Sequence, residues 1–306
     1  MRNAFVDTVI EASLQRDDVF IISGDAGLGV FDEFKQQRPD RFLNLGVAEQ
    51  NMIGWAAGMA LTGFRVYVYN IAPFVLYRCY EQVRNDICYQ KLPVTLIGIG
   101  SGLTYSPMGM THYSVEDLAI TQSLPNLRVY SPADPTEAES AARLSLEGDC
   151  PTYVRLAKRG EPRIHLGEAP DVTRPLRLTE GDDVALVFHG TVVNEVMEAQ
   201  QKLGEMGVSA QVISLPQISP CPIDLLDEML ADVPCVVTIE EHFVDSGLGS
   251  RLAFWHAAHR PQWKLSCLGL PPEYVHVVKK QHGMRQHYNL TTEHIVSHVC
   301  GLIGRN

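Results

Sequence analysis

The chain has 306 residues, 45% hydrophobic and 20% charged, a composition that builds buried cores and excludes a disordered polymer. Net charge is −11 at pH 7, and no Lys/Arg block or basic stripe stands out, which argues against a nucleic-acid partner. No apolar run is long enough to span a bilayer, so no membrane role is expected, and the first residues, MRNAFVDTVIEASLQRDD, read as a helix with acidic residues rather than a leader. The cysteines, 79, 88, 150, 221, 235, 267 and 300, are odd in number, lack a CxxC and mostly lie in apolar runs. They read as reduced thiols of a cytoplasmic protein, not as disulfides or a zinc site.

In chain order, helix and strand patterns alternate. Apolar, β-branched runs at 19–23, 64–70, 94–100, 127–131 and 152–156 suit parallel strands covered on both faces. Helix patterns fall at 3–15, 48–62, 74–90, 116–124 and 135–147, the last opening on Pro135 and closing at Gly148. Three prolines and mixed charges then interrupt the pattern. Strands follow near 183–188, 210–215, 235–240 and 264–268, with helices near 192–205, 222–231, 248–259 and 292–303. The expected fold class is α/β in two domains, each a mainly parallel sheet covered by helices. The boundaries read as 1–160, a linker over 161–181, and 182–306. No internal repeat is visible.

Several motifs compete as chemistry. In NLGVAEQNMIGWAAGMA (44–60), Glu49 falls in the first turn of a helix, where an acid ordinarily complements the dipole. The small residues behind it let another backbone approach closely. Phe74, Tyr77 and Tyr80 recur at i, i+3 and i+6, either as core packing or as an aromatic wall for a flat heterocycle. The segment GSGLTYSPMGMTHYSVED (100–117) follows a strand and delivers Thr111 and His112 from a Gly/Pro-rich loop. Such strand-end loops are where α/β proteins build sites. GDAGLG (24–29) also follows a strand, but its spacing is not that of a dinucleotide loop and no Walker lysine follows. Asp25 stays a candidate site residue. His256 and His259 lack companions for a metal and read as a solvated face. Glu240-Glu241-His242 reads as a strand-end charge cluster, and no nucleophile elbow is present.

GDAGLGVFDEF (24–34), NLGVAEQNMIGWAAGMA, APFVLYRCYEQVRNDICYQKLPV (72–94), GMTHYSVEDLAI (109–120) and SPADPTEA (131–138), in this order, resemble the C-terminal half of transketolase. The resemblance covers nearly the whole chain as a pyrimidine-binding domain, a linker and the family's C-terminal domain. It is nearest to split transketolases, in which this half is a separate subunit. It implies thiamine diphosphate as cofactor, with Glu49 bonded to N1′ of the aminopyrimidine to promote loss of the thiazolium C2 proton. It also implies that Tyr77, with Phe74 and Tyr80, flanks that ring, and that His112 serves the donor's hydroxyls or shuttles a proton. The magnesium-binding GDG…N pattern of the family is not matched here. The resemblance therefore places the Mg²⁺ and diphosphate ligands on a partner subunit, with self-association into an α2β2 heterotetramer. Arg2, Lys158 and Arg159 match positions that bind substrate phosphate.

Two positions depart from the family pattern. Met108 stands where an acid reads an acceptor hydroxyl, and Gly29 where a serine contacts phosphate. Acceptor choice is therefore left open, with an unusual sugar or a carrier-bound acyl group among the candidates. The expected activity is ketol transfer from a ketose, itself expected to be phosphorylated. The rival readings are a β subunit of a 2-oxo acid dehydrogenase E1, a 1-deoxyxylulose-phosphate synthase relative, and a noncatalytic scaffold.

Overall fold

A computed structural model describes residues 1–158 and 160–305. Twelve strands form two sheets: β1 (Val19–Ser23), β2 (Phe42–Asn44), β3 (Arg65–Ile71), β4 (Val94–Ile99), β5 (Arg128–Tyr130), β6 (Thr152–Leu156), β7 (Leu176–Thr179), β8 (Val184–Phe188), β9 (Ala210–Ser214), β10 (Gln217–Ser219), β11 (Cys235–Phe243) and β12 (Lys264–Leu270). The first sheet runs β10-β5-β6-β4-β3-β1-β2 and the second β12-β11-β8-β9-β7. Pairing is parallel except for the two edge strands β10 and β7. This is the α/β architecture expected from the continuous apolar runs. Along β3, Val66 and Val68 enter one core while Tyr67 and Tyr69 enter another on the opposite face. A strand buried on both sides needs apolar residues at every position. Among the described residues no helix is long and apolar enough to cross a membrane. All seven cysteines are free.

Three features differ from the sequence reading. Leu176–Thr179, within the stretch expected as linker, is the edge strand β7 of the second sheet. Gln217–Ser219, from the second half of the chain, crosses to the first sheet and pairs antiparallel with β5. The expected single helix over 74–90 is broken into Ala72–Leu76, Tyr80–Gln82 and a π-helical stretch Val83–Cys88.

A fourth difference concerns Glu240-Glu241-His242, which is fully buried between the domains, at 0%, 2% and 0% exposure. Glu240 accepts from the N–H groups of Leu248 and Gly249, both at 2.8 Å, and meets His189 Nε2 at 3.2 Å, whose Nδ1 pairs with Ser131 Oγ of the first domain. Glu241 accepts from Leu103 N (2.9 Å), Thr191 Oγ1 (2.8 Å) and Arg285 Nε (2.6 Å). Burial alone would raise its pKa, but Arg285 and the Leu103 N–H bring it below the ordinary carboxylate value. His242 Nε2 accepts from Leu118 N (3.1 Å) while Nδ1 donates to Phe243 O (3.0 Å), which is the pattern of a neutral ring. Beside it Asp117 holds Arg155 at 2.8 Å, both fully buried.

Burial lowers the His242 pKa, so the unfolded chain binds a proton that the folded chain resists. Stability contributed by the neutral ring is complete above about pH 6.5 and falls as pH drops below it. The melting temperature of the chain should therefore fall between pH 7.5 and 5, with a shallower slope in His242→Gln; an identical slope in both proteins counts against the assignment. Asp117→Ala strands Arg155 in the seam and should cost about 3–5 kcal/mol in denaturant unfolding, and a loss under about 1 kcal/mol contradicts the buried pairing.

Candidate active site

The candidate residues cluster because each leaves the carboxyl end of a parallel strand of the first sheet, where doubly wound sheets form crevices. Asp25 follows β1, Glu49 follows β2, Phe74 follows β3, His112 follows β4 and Lys158 follows β6. After β2, Asn44 Oδ1 accepts from Gly46 N at 2.8 Å, and Gly46 takes φ +66°. This tight turn, which a β-carbon would strain, launches the helix Glu49–Leu61 with Glu49 as its first residue.

Glu49 is 6% exposed. Its Oε2 accepts from Arg78 Nη1 at 3.0 Å, and Asn70 Nδ2 points at its Oε1 from 3.4 Å. The Arg78 guanidinium carbon lies 4.2 Å from the centroid of the Phe74 ring. The edge of the same cluster is His112, whose ring is T-shaped to Phe74 at 5.2 Å and to Tyr105 at 6.2 Å. Thr111 Oγ1 pairs with His112 Nδ1 at 2.9 Å. Beyond Tyr105, Lys158 Nζ sits 5.4 Å from that ring's centroid, and the Arg2 charge acts on both Tyr69 and Tyr105. A run of side chains thus connects Glu49, through Arg78, Phe74, His112 and Tyr105, to the cation Lys158. Arg159 lies outside the described residues.

The aromatic trio is not one flat wall. Tyr77 Oη donates to Glu116 Oε2 at 3.2 Å and Tyr80 Oη pairs with Ser123 Oγ at 2.8 Å, so the two hydroxyls meet opposite ends of the helix Asp117–Gln122. Phe74 alone of the three touches the His112 ring and the Arg78 guanidinium. Asp25 projects exposed from the turn after β1. Met108 is 59% exposed at the end of the short helix Ser106–Met108, and Gly29 has open space around it.

The sequence reading passed over Arg78, Tyr105 and Asn70. The spacing of Arg78 from Phe74, i to i+4 within FVLYRCY, is a signal that could have flagged it. The loop bearing His112 is fixed from outside its own domain. Leu103, Tyr113 and Val115 enter the apolar core of the second domain, and Tyr113 Oη donates to Val277 O at 3.1 Å. Among the described residues Asp134, Glu137 and His165 are close enough to share a metal ion. Their oxygens, however, already accept from Glu137 N, Ile164 N and Ala133 N, at 2.7, 2.9 and 2.7 Å, and Glu137 pairs with His165. That is a reciprocal helix cap rather than a metal centre.

Residues 1–162 match the transketolase pyrimidine binding domain, and residues 175–295 match the transketolase C-terminal domain. The chain is 31% identical to one subunit of an apulose-4-phosphate transketolase from Actinobacillus succinogenes, over 97% of this chain and 96% of that one. It is 32% identical to a 6-deoxy-6-sulfo-D-fructose transketolase subunit from Clostridium sp., over 83% and 79%. A solved structure described as a split gene transketolase, inactive beta4 tetramer, superposes with a TM-score of 0.87 at 29% identity, covering 99% of this chain and 97% of that one.

Burial holds the His112 imidazole below its ordinary pKa. Its ring proton resonances in the isolated chain should therefore titrate with a midpoint under about 6.5, moving up in Phe74→Ala. A wild-type midpoint at or above that value contradicts the packing described here.

Proposed function

The chain belongs to the transketolase family, and we propose that it is the pyrimidine-binding subunit of a heteromeric, thiamine diphosphate-dependent transketolase. In this reading it transfers a two-carbon ketol unit from a ketose to an acceptor, at a site completed by a partner subunit that holds the diphosphate and its Mg²⁺. The observation that carries the reading is Glu49, a buried carboxylate at a helix start, bonded to an arginine that lies over the Phe74 ring. The residues fit an aminopyrimidine. A flat nitrogenous group, the Arg78 guanidinium, already lies on Phe74 and donates to Glu49, so the slot takes a planar ring with nitrogen turned toward the carboxylate. When bound, thiamine diphosphate supplies the acidic thiazolium carbon that takes up the ketol unit.

The chain's own residues then have separable tasks. Glu49 holds a proton against the ring nitrogen. Phe74 orients the ring by stacking, while Tyr77 and Tyr80 anchor the same segment to the two ends of the helix Asp117–Gln122. His112, whose partial burial favours the neutral ring, accepts or returns a proton at a substrate hydroxyl. Arg2, Lys158 and Arg159 bind the substrate's phosphate, and Asp25 contributes to cofactor binding.

The partner is supported by the inactive beta4 tetramer described for the split relative. It is also supported by exposed apolar side chains on and before the Glu49 helix: Val47 at 74%, Trp55 at 49% and Leu61 at 63%. An α2β2 assembly would cover them. Met108 and Gly29 favour an acceptor other than the ordinary sugar phosphates, in keeping with the unusual sugars named for two relatives.

Ketol transfer from hydroxypyruvate or xylulose 5-phosphate to an aldose should be absent for the purified chain given thiamine diphosphate and Mg²⁺. It should appear when the diphosphate-binding subunit is added. Full turnover by the chain alone ends the split-site reading. In the assembled enzyme, Glu49→Gln should lower kcat by about 10²–10⁴-fold with assembly intact, whereas unchanged kcat removes Glu49 from the chemistry.

A further inference from the structure

The position of Arg78 has a second consequence, which rests on the reading of Glu49 as the pyrimidine-binding carboxylate. We infer that Arg78 is a built-in occupant of the pyrimidine slot, competing with the cofactor for Glu49 and swinging out when it binds. Its guanidinium takes both places that the aminopyrimidine would take, over the Phe74 ring and against Glu49, although it donates to the carboxylate where the ring nitrogen would accept a proton from the carboxyl group. It stacks on Phe74 with its carbon 4.2 Å from the ring centroid, and it donates N–H to Glu49 Oε2 at 3.0 Å. The two ligands therefore exclude each other.

The pair is built to open. The Glu49 side chain is 6% exposed, whereas that of Arg78 is 44% exposed, so the guanidinium has a path to solvent. The Arg78 backbone is tied down, because Gln50 Nε2 donates to its carbonyl at 2.9 Å. Release is thus a rotamer change of one long side chain. Half-exposed ion pairs contribute little net stability, so the contact yields to a ligand that stacks and bonds as well. While it lasts, it keeps a buried carboxylate from standing unpaired.

The cost appears in affinity. If Arg78 occupies the slot most of the time, the apparent cofactor Kd is weakened by the fraction of molecules in which the slot is open. The test uses the full chain assembled with its diphosphate-binding subunit, titrated with thiamine diphosphate in Mg²⁺ by calorimetry. Arg78→Met should bind about three- to tenfold more tightly than wild type, and Arg78→Lys, which keeps the charge without the planar stack, should fall between them. Equal or weaker binding by Arg78→Met overturns the inference while leaving the functional reading standing. Failure of the wild-type complex to bind thiamine diphosphate at all overturns both. A second measurement needs no cofactor: in the isolated chain, the melting-temperature losses of Arg78→Met and Glu49→Gln should be non-additive in the double variant. Additive losses mean that the two side chains are not paired, and they sink the inference independently.

Discussion

The Glu241 carboxylate sits in the seam between the two domains and takes hydrogen bonds from both of them. Leu103 N comes from the loop of the first domain, while Thr191 and Arg285 come from the second. A lone carboxylate at this depth would cost several kcal/mol in lost hydration. Its burial is tolerable only when every donor is in place, so the seam forms whole or not at all. Gly102 shows how tight the fit is: it takes φ +59°, and a β-carbon there would run into the Glu241 side chain. The strand end grips the other end of the same loop as well, through Phe243 N to Val115 O at 3.0 Å and Leu118 N to His242 at 3.1 Å. Between these two clamps lies His112. The second domain, silent as to chemistry in its sequence, sets the position of the first-domain loop that carries His112.

The site is consequently rigid on one side and adjustable on the other. The His112 loop is packed into a foreign core and cross-tied by buried charges. The Glu49 side is held by a single helix start, one long asparagine contact and an arginine reaching in from the surface. The proposed role, admitting a flat ring at a site shared with another subunit, fits that asymmetry. The interrupted helicity from Ala72 to Cys88 belongs to the same side. π-helical turns recur at functional sites because they re-aim side chains that a regular helix would stack. Here the break sends Tyr77 and Tyr80 to the two ends of a neighbouring helix while Phe74 stays with Arg78.

Much of this was legible in residues alone. Strands covered on both faces announce themselves as unbroken apolar runs, and Pro135 after Asp134 marked a helix start whose cap the structure contains. What escaped depends on partners distant in sequence. β10 is three residues long and pairs across the domain boundary, so no local period betrays it. β7 is a half-exposed edge strand whose polar alternation reads as linker. Glu240-Glu241-His242 is a string of charges, and strings of charges are ordinarily solvated. Only the placement of Arg285, His189 and Leu118 around it shows why it is buried. Glu49 was assigned through resemblance to a family. By itself, a first-turn acid signals no more than a helix dipole.

Two ion pairs in this chain show how burial, rather than distance, divides structural from functional charge. Asp117–Arg155 spans 2.8 Å and Glu49–Arg78 spans 3.0 Å. In the first, both side chains are within 2% of full burial, and the arginine also donates to the Ser114 carbonyl. Opening it would strand two charges in an apolar seam, so no ligand of modest affinity could compete. In the second, the arginine is nearly half in water and loses little by leaving, while the carboxyl group it leaves behind is shielded and open to another partner. Similar lengths therefore describe opposite roles. The first pair fixes the frame that holds the His112 loop, and the second reserves the place where a planar ligand exchanges with the protein's own side chain.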